Sequence, residues 1–166
     1  MPEHPFTTFN FRVELTYGPG GQPICAGEFA ECDGLEMTLE PKTIREGGNN
    51  SRPIHLVGPV SHGQLTLKRG MTTDFGLWKW FEDVQRTNGH GLRASGSIAL
   101  QTAAPLEPTP GVSERRTDVV AFDLSGCLPV KLKAPALNAK DGLIAIEEMQ
   151  VAYETLTRKE TTGGAR

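Results

Sequence analysis

"TFNFRVELT", residues 8–16, alternates apolar and polar side chains without a break. Every second residue is apolar, namely Phe9, Phe11, Val13 and Leu15. The residues between them are polar, namely Asn10, Arg12, Glu14 and Thr16. Side chains of a β-strand point alternately to its two faces, so this stretch predicts a half-buried strand with one face in water.

The same alternation recurs along the chain and predicts a mainly β protein. It is found in residues 27–41, with a bend at Cys32-Asp33-Gly34, and again in residues 62–70, 92–100, 119–126 and 143–156. Residues 127–142, "CLPVKLKAPALNAKDG", lack a clear period and are predicted to be irregular, with apolar positions that dock on the sheet. Six or more strands predict a closed or nearly closed antiparallel β-barrel or sandwich.

One helix is expected to flank this barrel. Its apolar stripe repeats at the helical spacing and consists of Leu77, Trp80, Phe81 and Val84. Asp74 is placed to cap its N-terminus, and "TNGHG" (87–91) is expected to end it.

Length and composition favour a single domain. The 166 residues include 19 glycines and 12 prolines, a content typical of short elements joined by turns. We predict one domain over 1–166, with a core at about 6–156, an exposed insertion at 102–118 and a flexible tail at 157–166.

No sequence motif indicates catalysis or a cofactor. The four histidines fall in turn-like or terminal stretches, and no paired-cysteine, metal or nucleophile motif is found. The three cysteines (Cys25, Cys32, Cys127) are expected to be buried thiols in a reducing cytoplasm. A net charge of −3 argues against a duplex-binding protein. No apolar run is long enough to anchor the chain in a membrane, and the first residues do not resemble a secretory signal.

"KTIREGGNN", residues 42–50, combines charge with paired glycines and asparagines between two predicted strands. In an enzyme such a segment could cradle an anion; in a structural protein it could be an arm that touches a neighbour. A phosphate-binding loop also requires a buried strand before it, a helix after it and a Lys-Ser/Thr pair, and these are missing.

Several blocks in fixed order resemble the tail tube proteins of contractile phage tails and the inner tube proteins of extracellular contractile injection systems. They are "FNFRVEL", "GEFAECDGLEMTLEPKTIREGG", "LVGPVSHGQLTLKRGMTTDFGLWKW", "SGSIAL" and "AFDLSGCLPVKLKAPALNAKDGLIAIEEMQVAYE". The resemblance covers about residues 6–156. Departures from the family pattern include Ile44 where Tyr is frequent and Phe122 where Trp is common.

The resemblance implies a non-enzymatic β-barrel subunit that forms stacked hexameric rings with a central lumen. The implied partners are further copies of the chain, a sheath protein, baseplate and spike proteins, and cargo protein or DNA in the lumen, with no cofactor. The subunit would be made in the bacterial cytoplasm and assembled into a phage tail or an injection particle.

The resemblance also suggests roles for two sets of residues. The ring-stacking loop would consist of Ile44, Arg45, Glu46, Gly47, Gly48, Asn49 and Asn50. Its glycines would allow close approach to the next ring. Candidates for the lumen wall are Arg12, Glu14, Glu36, Lys68, Glu147 and Glu148.

Alternatives remain open on the sequence alone. The chain could be the repeating tube subunit or a terminal ring that joins the tube to the baseplate spike. It could belong to a phage or to a bacterial injection particle, or resemble the haemolysin-coregulated ring proteins. A small-ligand-binding β-barrel and an enzyme are less favoured.

Overall fold

A computed structural model describes residues 10–17, 21–27, 29–45, 47–48, 52–87, 92–101, 118–137, 140 and 142–160. These residues form twelve strands and one helix. The strands are β1 (Phe11–Tyr17), β2 (Pro23–Gly27), β3 (Glu31–Asp33), β4 (Met37–Leu39), β5 (Lys42–Ile44), β6 (Ile54–Leu56), β7 (Val60–His62), β8 (Gln64–Gly70), β9 (Ala94–Gln101), β10 (Asp118–Lys133), β11 (Ile146–Ala152) and β12 (Thr155–Glu160). The helix α1 spans Gly76–Arg86.

The main sheet has eight strands in the order β2-β1-β9-β10-β11-β8-β3, with β12 paired to β10. All of its ladders are antiparallel, which confirms the predicted mainly antiparallel β architecture. Among the described residues no ladder joins the two end strands, β2 and β3, so the path of strands stays open.

The 16-residue strand β10 divides this sheet into two halves. Its first part pairs with β9 on one side and β12 on the other, and its last part pairs with β11. We call β2, β1, β9, the first part of β10 and β12 the A half, and the last part of β10 with β11, β8 and β3 the B half.

The core lies between the two halves. Val13 and Leu15 of β1 are completely buried, as the alternation of residues 8–16 predicts. The same cluster includes Leu65 and Leu67 from β8 and Val151 from β11. Apolar faces from both halves therefore meet in one core, while the opposite face of each half is left outside.

Helix α1 covers one side of this core. Leu77 and Trp80 are buried, and Phe81 and Val84 pack against the core cluster. The Trp80 indole Nε1–H donates to the backbone oxygen of Leu92 at 3.1 Å, which satisfies the buried ring's polar atom. The helix ends at Arg86, at the stop that the sequence predicts.

Three boundaries differ from the sequence predictions. Residues 127–133, which were predicted to be irregular, belong to β10. Pro129 is accommodated in this strand because the ladder to β11 shifts register there, and because among the described residues this part of β10 pairs on one side only. Residues 157–160 of the predicted flexible tail form part of β12, because they pair with β10. The predicted insertion lies outside the described residues except for Asp118, which begins β10.

Candidate assembly surfaces

The described residues between 37 and 62 leave the main sheet as two paired segments, which we call the arm. Strand β4 pairs with β7 near its base, and β5 pairs with β6 further out. Each ladder is three residues long. The Thr43 hydroxyl and the ring Nδ1 of His55 lie 3.3 Å apart across the outer ladder.

The arm exposes an unusual number of large apolar side chains. Val57 is 84% exposed and Met37 is 61% exposed. The full set, which we call the arm's apolar residues, is Met37, Leu39, Ile44, Leu56, Val57 and Val60. Isolated exposed apolar residues are common on protein surfaces, but a set concentrated on one projection indicates a contact surface.

Tyr153 fixes the base of the arm. Its buried phenol oxygen accepts a hydrogen bond from the Glu36 backbone N–H at 3.0 Å. The phenol O–H can donate to either of two backbone oxygens, Gly34 O at 2.9 Å or Glu36 O at 3.0 Å. Its ring also packs against His62 at a centroid distance of 5.4 Å. A residue between β11 and β12 thus holds both strands at the point where the arm departs.

Two glycines are required by the path of the arm. At Gly34, φ is +95° and an added Cβ would lie 1.9 Å from Gln64 O. At Gly58, an added Cβ would lie 1.7 Å from Glu40 O. Side chains cannot be accommodated at these distances, so glycine lets the chain leave the sheet at Gly34 and lets the arm's two strands approach at Gly58.

The predicted stacking loop lies at the end of the arm. Ile44 ends β5, Arg45 follows it and is exposed, and Gly47 and Gly48 form a turn. Glu46, Asn49 and Asn50 lie outside the described residues. An added Cβ would meet no atom at either glycine, but Gly48 has a φ of +97°, which favours glycine.

The outer face of the A half forms an open groove of about 470 Å³ lined mainly by side chains that carry polar groups. Its wall is built from alternate residues of four adjacent strands, mostly small hydroxyl and charged side chains. They include Glu14, Thr16, Ser95, Ser97, Asp123, Ser125, Thr155, Thr157 and Lys159. The sequence prediction missed the groove residues of β9, β10 and β12. The alternation of Ser95 and Ser97 with small or apolar neighbours could have predicted the polar face of β9.

The charges around this groove are largely paired. Arg12 lies 2.8 Å from Glu14 and 3.2 Å from Asp118, and Lys159 forms an ion pair with Asp123. Positive and negative side chains therefore neutralise one another on the groove surface.

The six predicted lumen residues do not share one surface. Arg12 and Glu14 lie on the outer face of the A half, whereas Lys68 and Glu148 face each other in the β8–β11 ladder of the B half. Glu36 is exposed at the base of the arm.

The prediction for Glu147 is wrong, because Glu147 is only 2% exposed. Its Oε1 accepts from Arg69 Nε at 2.5 Å, and its Oε2 accepts from Trp78 Nε1 at 3.0 Å. The Glu147 side chain points to the same inner face of β11 as Met149 and Val151, and it is stable there because it pairs with a buried cation.

Arg69 is the centre of this buried network. Its Nη1 donates to Asp74 Oδ2 at 3.0 Å, its Nη2 donates to Asp74 O at 2.9 Å, and its Cζ lies 5.7 Å from the centre of the Phe29 ring. Burial alone would lower the pKa of Arg69, but the hydrogen bonds and charges of Glu147 and Asp74 outweigh it and raise that pKa. The network joins β8, β11 and the start of α1.

Asp74 also connects this network to the helix. Its Oδ1 accepts from the Gly76 backbone N–H at 3.0 Å, two residues on, although the N-cap position itself is Phe75. The Gly76 N–H and then the Arg69 guanidinium lower the pKa of Asp74. The predicted cap is therefore present one residue earlier than the N-cap position.

The described residues contain no metal-binding cluster, and their cysteines are unreactive. No group of three or more metal-ligating side chains occurs among them. The cysteines are free thiols, and burial raises the pKa of Cys25 and Cys32 to about 12 and that of Cys127 to about 11. Such thiols are protonated at neutral pH and are poor nucleophiles. The helix found in the described ranges is too short and polar to cross a membrane.

Comparison with solved structures finds close similarity of fold. A chain of the anti-feeding prophage (AFP) baseplate, 6-fold symmetrised, is 26% identical, with a TM-score of 0.75 over 96% of this chain and 99% of that one. A chain of the PVC sheath-tube complex, an extracellular contractile injection system in the extended state, is 18% identical, with a TM-score of 0.74 over 96% and 95%. A double mutant of the Hcp1 protein from the E. coli EAEC 042 pathovar is more distant, at 15% identity and a TM-score of 0.57 over 92% of both chains.

Family comparison agrees with the fold. No curated protein matches the chain. The family described as T4-like virus tail tube protein gp19 matches residues 7–157, which include both halves of the sheet, the arm and the helix. This chain therefore belongs to the T4-like virus tail tube protein gp19 family.

Proposed function

We propose that the chain is the structural subunit of a hollow inner tube, built from stacked hexameric rings, in a phage-like contractile injection particle. The observation that carries the proposal is the family match over residues 7–157. The 26% identity and TM-score of 0.75 to a chain of a 6-fold symmetrised contractile baseplate support six copies per ring.

The outer face of the A half is the best candidate for the lumen wall. It is polar, it is concave, and it carries small hydroxyl side chains together with paired charges. A passing protein or nucleic acid would meet mostly hydroxyl groups and paired charges, and the one large apolar residue of the lining, Leu124, is only 2% exposed. On this assignment Arg12 and Glu14 line the lumen, whereas Lys68 and Glu148 do not.

The arm is the best candidate for the contact between rings. Its apolar residues are exposed in the single chain, and contact with another copy would bury them. The tip residues Arg45, Gly47 and Gly48 are exposed at its outer end.

The remaining partners follow from the particles in which similar chains are found. The AFP and PVC structures are described as a baseplate and a sheath-tube complex. We propose a sheath protein outside the tube, baseplate and spike proteins at one end, and cargo protein or DNA inside it. The subunit itself acts as a passive conduit, a role that requires no chemistry from its side chains.

A terminal ring is the second candidate. The similar structure at 26% identity comes from a baseplate, and chains of an AFP tube terminating cap and a PVC sheath/tube terminator match the fold with TM-scores of 0.75 and 0.72. A terminal ring would form hexamers but would not extend into long tubes.

A ligand-binding barrel is disfavoured by the small size of the apolar opening that the described residues line. The apolar opening lined by Phe11, Cys32, Leu35, Ile98, Leu100 and Phe122 has a volume of only about 130 Å³. Pockets for small organic ligands usually enclose roughly 300–1,000 Å³.

The test is assembly of the purified full-length chain, followed by native mass spectrometry and negative-stain electron microscopy. Six-copy rings that stack into tubes support the repeating subunit, and six-copy rings that stay single or paired support the terminal ring. A chain that stays monomeric at all concentrations would contradict both.

A further inference from the structure

The outer face of the B half carries two rows of polar and charged side chains. Directly paired residues of antiparallel strands point to the same face, so the ladders of β10, β11, β8 and β3 define each row. In that strand order the rows are Lys133, Glu148, Lys68 and Glu31, and Lys131, Gln150, Thr66 and Asp33. Leu132, Met149 and Leu67, which lie between the rows, pack in or against the core. The eight residues therefore form one continuous surface, which we call the charged face.

The charges on this face are separated by sign. Strand β10 contributes Lys131 and Lys133 at one side, which we call the lysine margin. Strand β3 contributes Glu31 and Asp33 at the other side, which we call the carboxylate margin. All four residues are exposed. The two middle strands contribute one charge of each sign, and these oppose each other in the β8–β11 ladder.

The two margins are too far apart to neutralise each other. Three strand spacings separate them by about 14 Å, which exceeds the Debye length of about 8 Å at physiological salt. Within the part of the chain that the structure describes, neither Lys131 nor Lys133 forms an ion pair. The lysine margin therefore keeps its positive charge in the single subunit.

The carboxylate margin is only partly compensated. Lys68 Nζ donates to both Glu31 carboxylate oxygens, at 3.0 and 2.9 Å. The hydrogen bond to Glu31 and the charges of Glu31, Glu148 and Asp33 raise the pKa of Lys68. One ammonium group is thus surrounded by three carboxylates, so negative charge remains at this margin.

Both margins are edges of the B half. Among the described residues, β3 pairs only with β8, and residues 128–133 of β10 pair only with β11. Like charges along an edge strand prevent two identical edges from meeting. Contact between two lysine margins, or between two carboxylate margins, would bring like charges together, whereas contact between unlike margins would bring opposite charges together. The charged face therefore disfavours a symmetric dimer and favours head-to-tail contact between copies.

We propose that, within a ring, the lysine margin of one copy contacts the carboxylate margin of the next copy. The inference rests on the proposed function, because it identifies a contact that holds neighbouring copies of the ring together. A ring of identical copies requires a heterologous contact, in which each copy offers two different and complementary surfaces. The two margins of the charged face meet this requirement in one chain.

Two charge-reversal variants and their mixture test this contact. The first combines Lys131→Glu with Lys133→Glu, so that both of its margins are negative. The second combines Glu31→Lys with Asp33→Lys, so that both of its margins are positive. One of the two is labelled with nitrogen-15, so that native mass spectrometry can count the copies of each variant in a ring.

Each reversal variant alone should stay monomeric at concentrations where wild type forms six-copy rings, because like charges would meet at every contact. An equimolar mixture should form rings again, because a contact between the two variants always joins opposite charges. These rings should contain three copies of each variant, since only strict alternation avoids a contact between like charges.

Matched variants control for folding and for net charge. Lys79→Glu with Arg86→Glu, at exposed positions of α1, changes the net charge as much as the first reversal and should still form rings by itself. Circular dichroism and thermal melting check that each variant folds. Lys131→Gln with Lys133→Gln removes the charge without repulsion and should raise the concentration at which half of the chains are in rings by roughly tenfold.

Three results would overturn the inference: a reversal variant that forms rings alone as wild type does, folded reversal variants whose mixture forms no rings, or a glutamine variant that assembles at the wild-type concentration. Failure of the proposed function is a separate observation, because wild-type protein would then form no rings at all.

Discussion

Removing one partner of the buried Arg69–Glu147 pair should destabilise the subunit far more than removing both. The two side chains are 9% and 3% exposed and contact through Nε and Oε1 at 2.5 Å. Glu147→Leu would leave Arg69 buried with Asp74 as its remaining anion and would deprive Trp78 Nε1–H of its acceptor. Arg69→Met would leave the Glu147 carboxylate buried with Trp78 as a donor.

The expected magnitudes follow from these contacts. A buried charge that loses its partner costs about 3–5 kcal/mol, so each single variant should lose about that much free energy of unfolding. For a domain of this size the melting temperature should fall by roughly 6–20 °C. The double variant has no uncompensated charge at the pair and should lose only about 1–3 kcal/mol, from the hydrogen bonds of Asp74 and Trp78 that remain unmade.

Urea denaturation followed by tryptophan fluorescence measures these differences, since Trp78 contacts Glu147 directly. Association into rings would add stability by mass action, so each protein is compared over a dilution series at matched concentrations. Lys68→Met combined with Glu31→Leu is the control, because Lys68 Nζ lies 2.9 Å from Glu31 Oε2 across β8 and β3 and both side chains are largely exposed. An exposed pair contributes about 0–1 kcal/mol.

Additive losses in the double variant, or single losses below about 1 kcal/mol, would refute this reasoning. Either result would mean that water reaches the pair and that Glu147 is not a buried structural residue. The sequence-based assignment of Glu147 to the lumen would then become tenable again.

Three further predictions concern the arm and the helix start. Gly48→Val should leave the fold intact and abolish stacking, at a cost of about 1–2 kcal/mol in free energy of unfolding because of its φ of +97°. Gly47→Val should also abolish stacking, with less backbone strain. Normal tubes from either variant in electron micrographs would contradict the role of the turn. Tyr153→Phe should destabilise the arm's base by about 2 kcal/mol and increase hydrogen exchange at Glu36, and unchanged exchange would count against the anchor. The pKa of Asp74 is lowered in the folded chain, so the stability that its carboxylate contributes is present above its ordinary pKa of 3.8 and is lost as pH falls through its lowered pKa. Asp74→Asn should therefore make the free energy of unfolding fall less steeply below about pH 4. Urea denaturation at a series of pH values measures this.

The alternation of side chains was sufficient to predict the strands that form the core. Val13 and Leu15, Leu65 and Leu67, and Val151 all lie inside, as their phase predicts. The physical reason is that a sheet with one buried face must place every second side chain in the core, so the pattern determines the register. Residues 42–50 were also predicted to project, because paired Gly and Asn beside charged residues do not fit the interior of a sheet, whereas Met37–Leu39 was predicted as part of a sheet strand and instead begins the arm.

The identity of the partners could not be predicted in this way. Glu147 alternates in step with buried Met149, and Arg69 alternates in step with buried Leu67, so both point into the core. The sequence does not show, however, that these two polar residues lie opposite each other on neighbouring strands. Tyr153 is 117 residues from Glu36, so no local pattern connects them. Residues 127–133 were predicted to be irregular because they lack a clear period, whereas the pairing of β10 with β11 that makes them a strand, Pro129 included, is a property of the whole sheet.

The arm combines a well-fixed base with a weak outer part. At the base, the buried Tyr153 hydroxyl bonds to Gly34 and Glu36 before β4, and the Tyr153 ring packs against His62 of β7. Gly34 and Gly58 allow the close backbone approaches that the arm requires. Beyond it, two three-residue ladders and six exposed apolar side chains are insufficient for a hairpin to be stable in water by itself. The direction of the arm is therefore set within the subunit, while the proposed contact with a second copy would supply stability to its outer part. If the arm is the contact between rings, as proposed, ordering of the arm and stacking of the tube are coupled steps.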